Sequence, residues 1–205
     1  MDDIFARMDK TAGQFKSVAS DIKRDVHVAV INEDTIETGT IKVKRDKPQQ
    51  TRMLIEFTKP DPKTVWFDGS SASVYYPKIK TVQVYDVGSK RGLVDQFLLL
   101  GFGATSAELK DVYTVTWVGA ESVESQPTGH IQLVPKSPDL LRQLKKAELW
   151  ISPASGLPVQ ERIFTTANGD FTLVTYSNMK FNPALSDNAL KASYPKDVEV
   201  QHPKL

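Results

Sequence analysis

Apolar and polar residues alternate along much of the stretch from residue 39 to residue 87. In residues 40–44 the apolar side chains occupy odd positions, and in residues 53–57 they are again mostly odd, with Leu54 as the exception. A period of two residues predicts β-strands that have one apolar face and one polar face. The segments between these runs contain Gly, Pro or Asp, which favour tight turns. Because strands joined by short turns pair antiparallel, the stretch predicts a β-meander.

The same pattern continues on both sides of this stretch, and it predicts about ten or eleven strands in total. An Asn168-Gly169-Asp170 sequence indicates a hairpin between the last two of them. A sheet of this size curls as its twist accumulates. The clearest strand candidates are residues 37–45, 51–58, 63–68, 72–77, 80–86, 113–117, 131–135, 147–151, 159–166 and 171–176.

Helical periodicity occurs in two places where the alternation is absent. Residues 3–19 carry apolar side chains at steps of three and four, which predicts an amphipathic N-terminal helix. Residues 88–110 interrupt the meander with an unusually apolar insertion, in which residues 93–100 and 106–110 have helical character. A further short helix is predicted over residues 138–145, and the tail from residue 195 to residue 205 is predicted to be extended.

Composition narrows the possible classes of protein. The 205 residues fit one domain, 1–205, and the net charge of +1 offers no field that would attract nucleic acid. No apolar run approaches the roughly 18 residues of a spanning helix. The absence of cysteine excludes disulfides and thiolate chemistry. The first residues are acidic and lack the apolar core of a signal peptide, so we expect either a cytosolic protein or a mature boundary preceded by an added Met.

Candidate catalytic groups are few. The three histidines lie outside any recognised metal or nucleophile motif, and Asp111, Glu121 and Glu124 lie near turns. Two carboxylates could act as acid and base, but exposed Asp and Glu residues are far more often only solvated charges. We therefore expect no enzyme, no cofactor and no metal, and a lipid hydrolase is disfavoured because no nucleophile–His arrangement is present.

The apolar face of the predicted sheet is the stronger candidate for function. Its concave side is predicted to be lined by Val28, Val43, Phe57, Phe67, Tyr75 and their neighbours. Two amphipathic helices are available to cover that side. A concave apolar space under a removable cover suits a lipid or acyl chain. The same residues would equally well form a core that the helices fill permanently, and composition does not separate the two interpretations.

Motifs in a fixed order support a resemblance to a known family. After an N-terminal helix and a strand come G-x-I-x-V-K-R, R-x-x-I-E-F-T-K-P, V-x-F-D-G-S, V-Y-Y-P-K and V-x-V-Y. Over nearly its whole length the sequence resembles the bacterial periplasmic outer-membrane lipoprotein carriers of the LolA/LolB superfamily. The residues at the characteristic places of that family are Val43-Lys44-Arg45, Lys59-Pro60, Phe67-Asp68-Gly69, Tyr75-Tyr76-Pro77, Leu133-Val134-Pro135-Lys136, Asn168-Gly169-Asp170-Phe171 and Tyr194-Pro195-Lys196-Asp197-Val198.

The resemblance implies a mainly β fold with helices (α+β), a half-open antiparallel β-barrel of about eleven strands with a helical lid. It implies a monomeric periplasmic carrier that shields acyl chains of lipoproteins or other lipids and ferries them towards the outer membrane. Its partners would be an inner-membrane lipoprotein-releasing transporter and an outer-membrane acceptor. The precursor's signal peptide would then be absent from this sequence. The alternative is a lipid- or lipoprotein-sensing regulatory or scaffold module on the same fold.

The resemblance also suggests roles for individual residues. Arg45 matches an arginine that ties the barrel to the lid in this family, although Asp46 stands where the family has proline. Residues 93–102 of the predicted lid have no counterpart in the family motifs. The side chains that we expect to contact the ligand, in the cavity or the lid, are Val28, Val43, Arg45, Leu54, Phe57, Phe67, Tyr75, Phe97, Leu98, Leu100, Phe102 and Trp117.

Overall fold

The computed structural model describes residues 1–47, 50–69, 71–87, 100 and 102–203. Its described part contains three α-helices: α1 (Asp2–Ala12), α2 (Ser106–Val112) and α3 (Pro138–Gln143). Short 3₁₀-helices occupy Pro77–Ile79 and Asp187–Leu190. None of the helices in these ranges is long and apolar enough to cross a membrane.

Strands make up most of the described residues. The twelve strands found there are β1 (Ser17–Val28), β2 (Glu33–Lys47), β3 (Gln50–Lys59), β4 (Lys63–Phe67), β5 (Ser71–Tyr76), β6 (Thr81–Asp86), β7 (Tyr113–Val123), β8 (Gln126–Pro135), β9 (Lys146–Ile151), β10 (Pro158–Phe164), β11 (Phe171–Phe181) and β12 (Glu199–Gln201).

All of these strands belong to one sheet, in the order β12-β6-β5-β4-β3-β2-β1-β11-β10-β9-β8-β7. The predicted meander is present twice, as β1 to β6 and as β7 to β11, and the two runs meet where β1 lies beside β11. The strand order is open, because β12 and β7 each have a single neighbour among the described strands. The predicted class, a mainly β protein with helices and an unclosed sheet, is therefore confirmed.

The tail was predicted to be extended, and residues 199–201 of it form the strand β12. Because β12 pairs parallel with β6, the sheet is not purely antiparallel. One predicted boundary is corrected. The N-terminal helix ends at Ala12 and not at residue 19. Val18 continues the helical stripe by its spacing, yet it is fully buried on a strand in which Ser20 and Ile22 are also buried. Strand pairing over β1 overrides the helical period, and Gly13 follows the last helical residue.

The chain divides into two compact units, and each is described by itself. Unit 1 comprises Met1–Phe15, Lys23–Ile36 and Leu99–Ser177. Unit 2 comprises Lys16–Ile22, Glu37–Leu98 and Asn178–Leu205. The prediction of a single domain over residues 1–205 stays a prediction.

Both faces of the unit 2 strands carry buried apolar side chains. The register pairs Val43 with Met53 and Met53 with Phe67, so these residues lie on one face. Leu54 pairs with Trp66 on the other face. We call the first set the Val43 face (Ile41, Val43, Met53, Phe57, Phe67). The second set is the Leu54 face (Leu54, Trp66, Ser73, Tyr75, Val82). Tyr75 belongs to it because Tyr75 pairs with Thr64, which lies two positions before Trp66 on β4 and therefore on the same face.

The C-terminal segment covers the Leu54 face. The ring of Tyr194 lies 5.6 Å from the ring of Trp66 and 5.6 Å from that of Tyr75. Leu190 is buried at the end of the 3₁₀-helix that contacts β3. Apolar burial and aromatic stacking thus hold the segment against strands β3 to β5.

A charged network fastens the same segment. The Arg52 guanidinium donates to Asp46 at 2.6 Å and to Asp187 at 2.7 Å. The hydrogen bond from Arg52 lowers the pKa of both carboxyls. Lys44 lies 3.3 Å from Asp187 as well. One arginine therefore links the β2–β3 hairpin to the C-terminal 3₁₀-helix.

Replacing Tyr194 with Ala tests the role of this cover. We expect Tyr194→Ala to lower the free energy of unfolding by about 1–2 kcal/mol, because two aromatic contacts and the shielding of Trp66 and Tyr75 are lost. Tyr194→Phe keeps the ring and should stay close to the unchanged protein. Urea titration followed by tryptophan fluorescence measures both variants. Equal stability of the Ala and Phe variants would show that the segment does not stabilise the sheet.

Candidate ligand-binding site

Unit 1 has a strongly apolar sheet face. The register aligns Trp117 with Ile131, Ile131 with Leu149 and Leu149 with Glu161 across four strands. We call this face, which includes Gly129, the helix face. Its central apolar side chains have no exposed surface, and they are Ile131, Leu133, Ala147, Leu149 and Ile151.

Gly129 creates the space in which α1 rests on the helix face. A Cβ atom at this position would lie 2.8 Å from the ring of Trp117 and 2.9 Å from Cγ1 of Ile4. A glycine inside a strand often marks such a close approach. Phe5 and Met8 of α1 are buried together with Ile4. The apolar stripe of α1 is therefore seated in a slot that only glycine leaves open.

Polar contacts fasten α1 at its sides. The Thr11 hydroxyl donates to the carbonyl of Ser155 at 2.6 Å. Asp9 accepts from the backbone N–H and the hydroxyl of Ser106, at 2.6 and 2.8 Å, where α2 begins. The Lys110 ammonium lies 4.6 Å from the centre of the Phe5 ring. These part-buried polar contacts flank the apolar stripe of α1.

Gly156 brings a loop against the backbone of α1. Its φ of +71° is in the left-handed region, and a Cβ there would lie 2.6 Å from the carbonyl oxygen of Arg7. Side chains other than hydrogen are strained in that conformation. The loop that accepts the Thr11 hydrogen bond therefore depends on this glycine.

Phe102 belongs to the predicted lid and is buried in unit 1. Its ring meets the ring of Tyr176 edge-on, with centroids 5.0 Å apart and an angle of 83° between planes. Leu100 and Phe102 are only 1% and 2% exposed. Phe102 thus packs on β11.

A buried carboxyl lies on the helix face beside that contact. Glu161 is 5% exposed, and its register partners on the adjoining strands are Leu149 and Val174. Its Oε1 atom has no hydrogen-bond partner among the described residues. Burial raises the pKa of Glu161 to about 8, and a hydrogen bond with Tyr176 offsets part of that effect. The carboxyl is therefore mostly protonated at neutral pH.

Tyr176 follows Val174 by two positions, so it lies on the same face as Glu161. Burial, and then the neighbouring Glu161, raise the pKa of Tyr176 well above its ordinary value. The hydroxyl consequently stays protonated over the physiological range. Glu161 and Tyr176 form the polar pair, a neutral hydrogen-bonding group set in an apolar face.

The opposite face of unit 1 is polar and aromatic. Glu121 accepts from the Trp150 indole at 2.7 Å and lies 2.8 Å from the His130 ring nitrogen. His130 stacks on Trp150 with centroids 4.2 Å apart. The hydrogen bond from Trp150 lowers the pKa of Glu121. Glu121, which the sequence offered as a possible acid or base, is thus engaged in holding two side chains of the sheet together.

The predicted ligand residues fall into separate groups. In unit 1, Phe102 and Trp117 lie on the helix face, Leu100 is buried, and Val28 is 38% exposed. Phe97 and Leu98, both predicted to contact the ligand, lie outside the described residues.

In unit 2, Val43, Phe57 and Phe67 share the Val43 face, and Arg45 is in phase with them. Leu54 and Tyr75 lie on the Leu54 face, under Tyr194. The alternation had placed Tyr75 beside Phe67, and the β4–β5 register corrects that placement. One ligand on one face cannot touch both groups, and the ligand role of each residue stays a prediction.

The sequence interpretation overlooked the polar pair. Glu161 lies in phase with Ile163, which pairs with Ala147 on the helix face. A charged residue in the apolar phase of a strand is the signal that could have identified it. Within the described residues there is no group of three or more His, Cys, Asp or Glu side chains that could hold a metal ion.

These features define the class of protein: a mainly β protein with helices, in which one open sheet has covered apolar faces. Residues 16–193 match the family model described as outer membrane lipoprotein carrier protein LolA. Since the match covers most of the sequence, the chain belongs to the LolA family. The resemblance inferred from the ordered motifs is thereby confirmed.

Solved structures share the fold at low identity. MucB is 14% identical with a TM-score of 0.57 over 98% of this chain and 64% of its own, so this chain spans slightly less than two thirds of MucB. An uncharacterized conserved protein from Thermus thermophilus is 13% identical, with a TM-score of 0.59 over 98% of both chains. The Pseudomonas aeruginosa MucA/MucB complex gives 15% identity and a TM-score of 0.53 over 93% of this chain and 60% of that chain. No curated protein matches by sequence.

Substitution of Gly129 tests the seating of α1. We expect Gly129→Val to displace Ile4 and Trp117 and to lower the free energy of unfolding by about 1–3 kcal/mol through overpacking. Hydrogen exchange should show faster exchange of the α1 amides. Gly119→Val is the matched control on the neighbouring strand, because no atom lies within 4 Å of its Cβ position. If the α1 amides in the Gly129 variant exchange as slowly as in the unchanged protein, Gly129 is not needed to seat the helix.

The raised pKa of Glu161 predicts that the free energy of unfolding depends on pH. Its pKa of about 8 in the folded protein exceeds the value of about 4.3 expected in the unfolded chain. The contribution of the protonated carboxyl is full below the unfolded pKa and is lost as the pH rises towards 8. Relative to the unchanged protein, Glu161→Gln should therefore gain about 2–4 kcal/mol of unfolding free energy between pH 5 and pH 8. Urea titrations at several pH values test this, and parallel curves for the two proteins would refute it.

Proposed function

We propose that this protein is a periplasmic carrier that binds the acyl chains of lipoproteins or other lipids in an apolar interior and ferries them towards the outer membrane. The proposal rests on membership of the LolA family and on the helix face, where a row of fully buried apolar side chains lies under an amphipathic helix. The reaction involves no change of covalent bonds. The proposed partners are an inner-membrane lipoprotein-releasing transporter and an outer-membrane acceptor, and the carrier acts as a monomer.

The energetics of α1 fit a cover that an acyl chain replaces. Each methylene removed from water contributes about 0.8 kcal/mol. A chain that takes the place of Ile4, Phe5 and Met8 exchanges one apolar cover for another, so the burial on the sheet side is kept. The hydrogen bonds that fasten α1 contribute about 1 kcal/mol each for neutral groups and somewhat more for Asp9. A long acyl chain therefore has enough binding free energy to offset the opening of the helix.

The Val43 face provides a second apolar surface for this function. Val43 and Phe67 are almost completely buried, and Arg45 follows in phase beyond Val43. The Arg45 backbone N–H donates to the carbonyl of Lys16 at 2.8 Å, which fixes the residue at the start of β1. We assign to Arg45 the latch role that the family motif implies.

Direct lipid binding is the test of the carrier. Protein isolated from a bacterial envelope should carry extra mass from bound lipid in native mass spectrometry. After delipidation it should increase the fluorescence of N-phenyl-1-naphthylamine, and oleoyl lipids should displace that probe. Met8→Glu, which places a charge on the buried stripe of α1 and so favours displacement of the helix, should tighten probe binding at least about tenfold. Ile79→Glu, at a position 66% exposed in unit 2, is the control and should bind normally.

A protein that stays free of lipid and binds no probe would contradict the carrier function. The second candidate, a sensing or scaffold module, is favoured by the similarity to MucB, for which a complex with MucA has been solved. It predicts a stoichiometric protein partner in a pull-down from envelope extract. Capture of such a partner by a lipid-free protein would support the second candidate over the first.

A further inference from the structure

The polar pair is unusual in an interior that encloses acyl chains. Glu161 is flanked on its own face by Leu149 and Val174, and it lies in phase with Ile163. A side chain that only filled space here would be apolar, because burying a carboxyl without full hydrogen bonding is unfavourable. Tyr176 bonds with the carboxyl, yet Oε1 remains buried without a partner in the described part of the chain. The polar pair therefore contains one hydrogen-bonding atom, Oε1 of Glu161, that a ligand group could pair with.

Phe102 packs on the tyrosine of the polar pair. Its ring packs edge-on against Tyr176, and both side chains are less than one tenth exposed. Moving Phe102 away would uncover the ring of Tyr176, the neighbour of the Glu161 carboxyl on the same face. The apolar side chains around the pair would at the same time be open to a methylene chain. An amphiphile could then satisfy the carboxyl and the apolar face together.

We propose that Glu161 and Tyr176 are the polar recognition point of the lipid, and that they select an uncharged acyl lipid bearing an amide or hydroxyl group over a free fatty acid. This inference rests on the proposed carrier function. An N–H or O–H group of the ligand donates to Oε1, which pairs the orphaned atom of the site. A fatty-acid carboxylate has no proton to donate to Oε1 and brings a charge onto an apolar face, so its binding is disfavoured.

The roles within the polar pair differ. Glu161 contacts the ligand and sets specificity. Tyr176 is a positioning residue, since its hydrogen bond orients the carboxyl and its ring supports Phe102. Tyr113 also has a buried hydroxyl without a partner in the described residues, but it lies on β7, three strands from β10. At about 4.8 Å per strand it is too distant to share the same ligand group.

Competition between two ligands of equal chain length tests the selectivity. Oleamide and oleic acid displace N-phenyl-1-naphthylamine from the delipidated full-length protein at pH 7, each below its aggregation limit. The unchanged protein should bind oleamide about tenfold more tightly than oleate. Glu161→Gln should reduce that ratio to about twofold, mainly by strengthening oleate binding, because the amide N–H of Gln can donate to the oleate carboxylate. Glu161→Leu should weaken oleamide binding, because the acceptor is lost.

Two further variants keep the test informative. Glu148→Gln is the matched control: Glu148 is also buried, but it pairs with Lys146 and Arg162 on the opposite face of the sheet, so the ratio should not change. Tyr176→Phe keeps the ring beneath Phe102 and should reduce the ratio even if substitution of Glu161 impairs folding.

The possible failures are distinguishable. Tight binding of both ligands with the same ratio in the unchanged protein, Glu161→Gln and Tyr176→Phe would overturn the recognition point and leave the carrier function intact. Failure of both ligands to displace the probe from the unchanged protein would overturn the carrier function, and the recognition point with it.

Discussion

Every strand has two faces, and an apolar face must be covered; the other features of this protein follow from that constraint. In unit 1 the two faces are unequal. One carries Ile131, Leu149 and their neighbours under α1, and the other is a polar and aromatic layer in which Glu121, His130 and Trp150 satisfy one another. In unit 2 both faces are apolar, and the C-terminal segment covers the Leu54 face. The second cover explains why the alternation is imperfect at Leu54, a buried apolar residue that lies between Arg52 and Glu56 on that face of β3.

The two covers are built differently. The C-terminal segment is held by aromatic stacking of Tyr194 and by Arg52, which bonds two carboxylates at once. A guanidinium that bridges two carboxylates defines geometry as well as stability. The helix α1 sits in the Gly129 slot through apolar contacts and is fastened by a few hydrogen bonds at its sides. Apolar contacts have little directional preference, so an acyl chain can reproduce them, whereas it cannot reproduce the network around Arg52.

Most strands, the short helix α3 and the family could be predicted from the sequence, because local period, turn residues and motif order are local properties. Register and strand partners could not. Tyr75 was assigned to the wrong face because a shift of one residue in the register between β4 and β5 moves a side chain to the other side of the sheet. The helical stripe appeared to run through Val18 because helix and strand periods coincide over short runs, and tertiary pairing decided between them. The parallel strand β12 depends on a distant partner, β6, that no local pattern reveals.

Glu161 is a buried carboxyl in a position where the strand pattern predicts an apolar residue. Local consistency would place an apolar residue in phase with Ile163, and natural proteins depart from such consistency mostly where function requires it. A buried neutral carboxyl makes the closed state less stable than an apolar residue would, and it also provides a directional contact among apolar contacts that have none. The proposed carrier would benefit from both effects, because its empty state would have to open readily and its cargo would have to be held in one orientation. The feature that weakens the empty interior would then be the same feature that recognises the lipid.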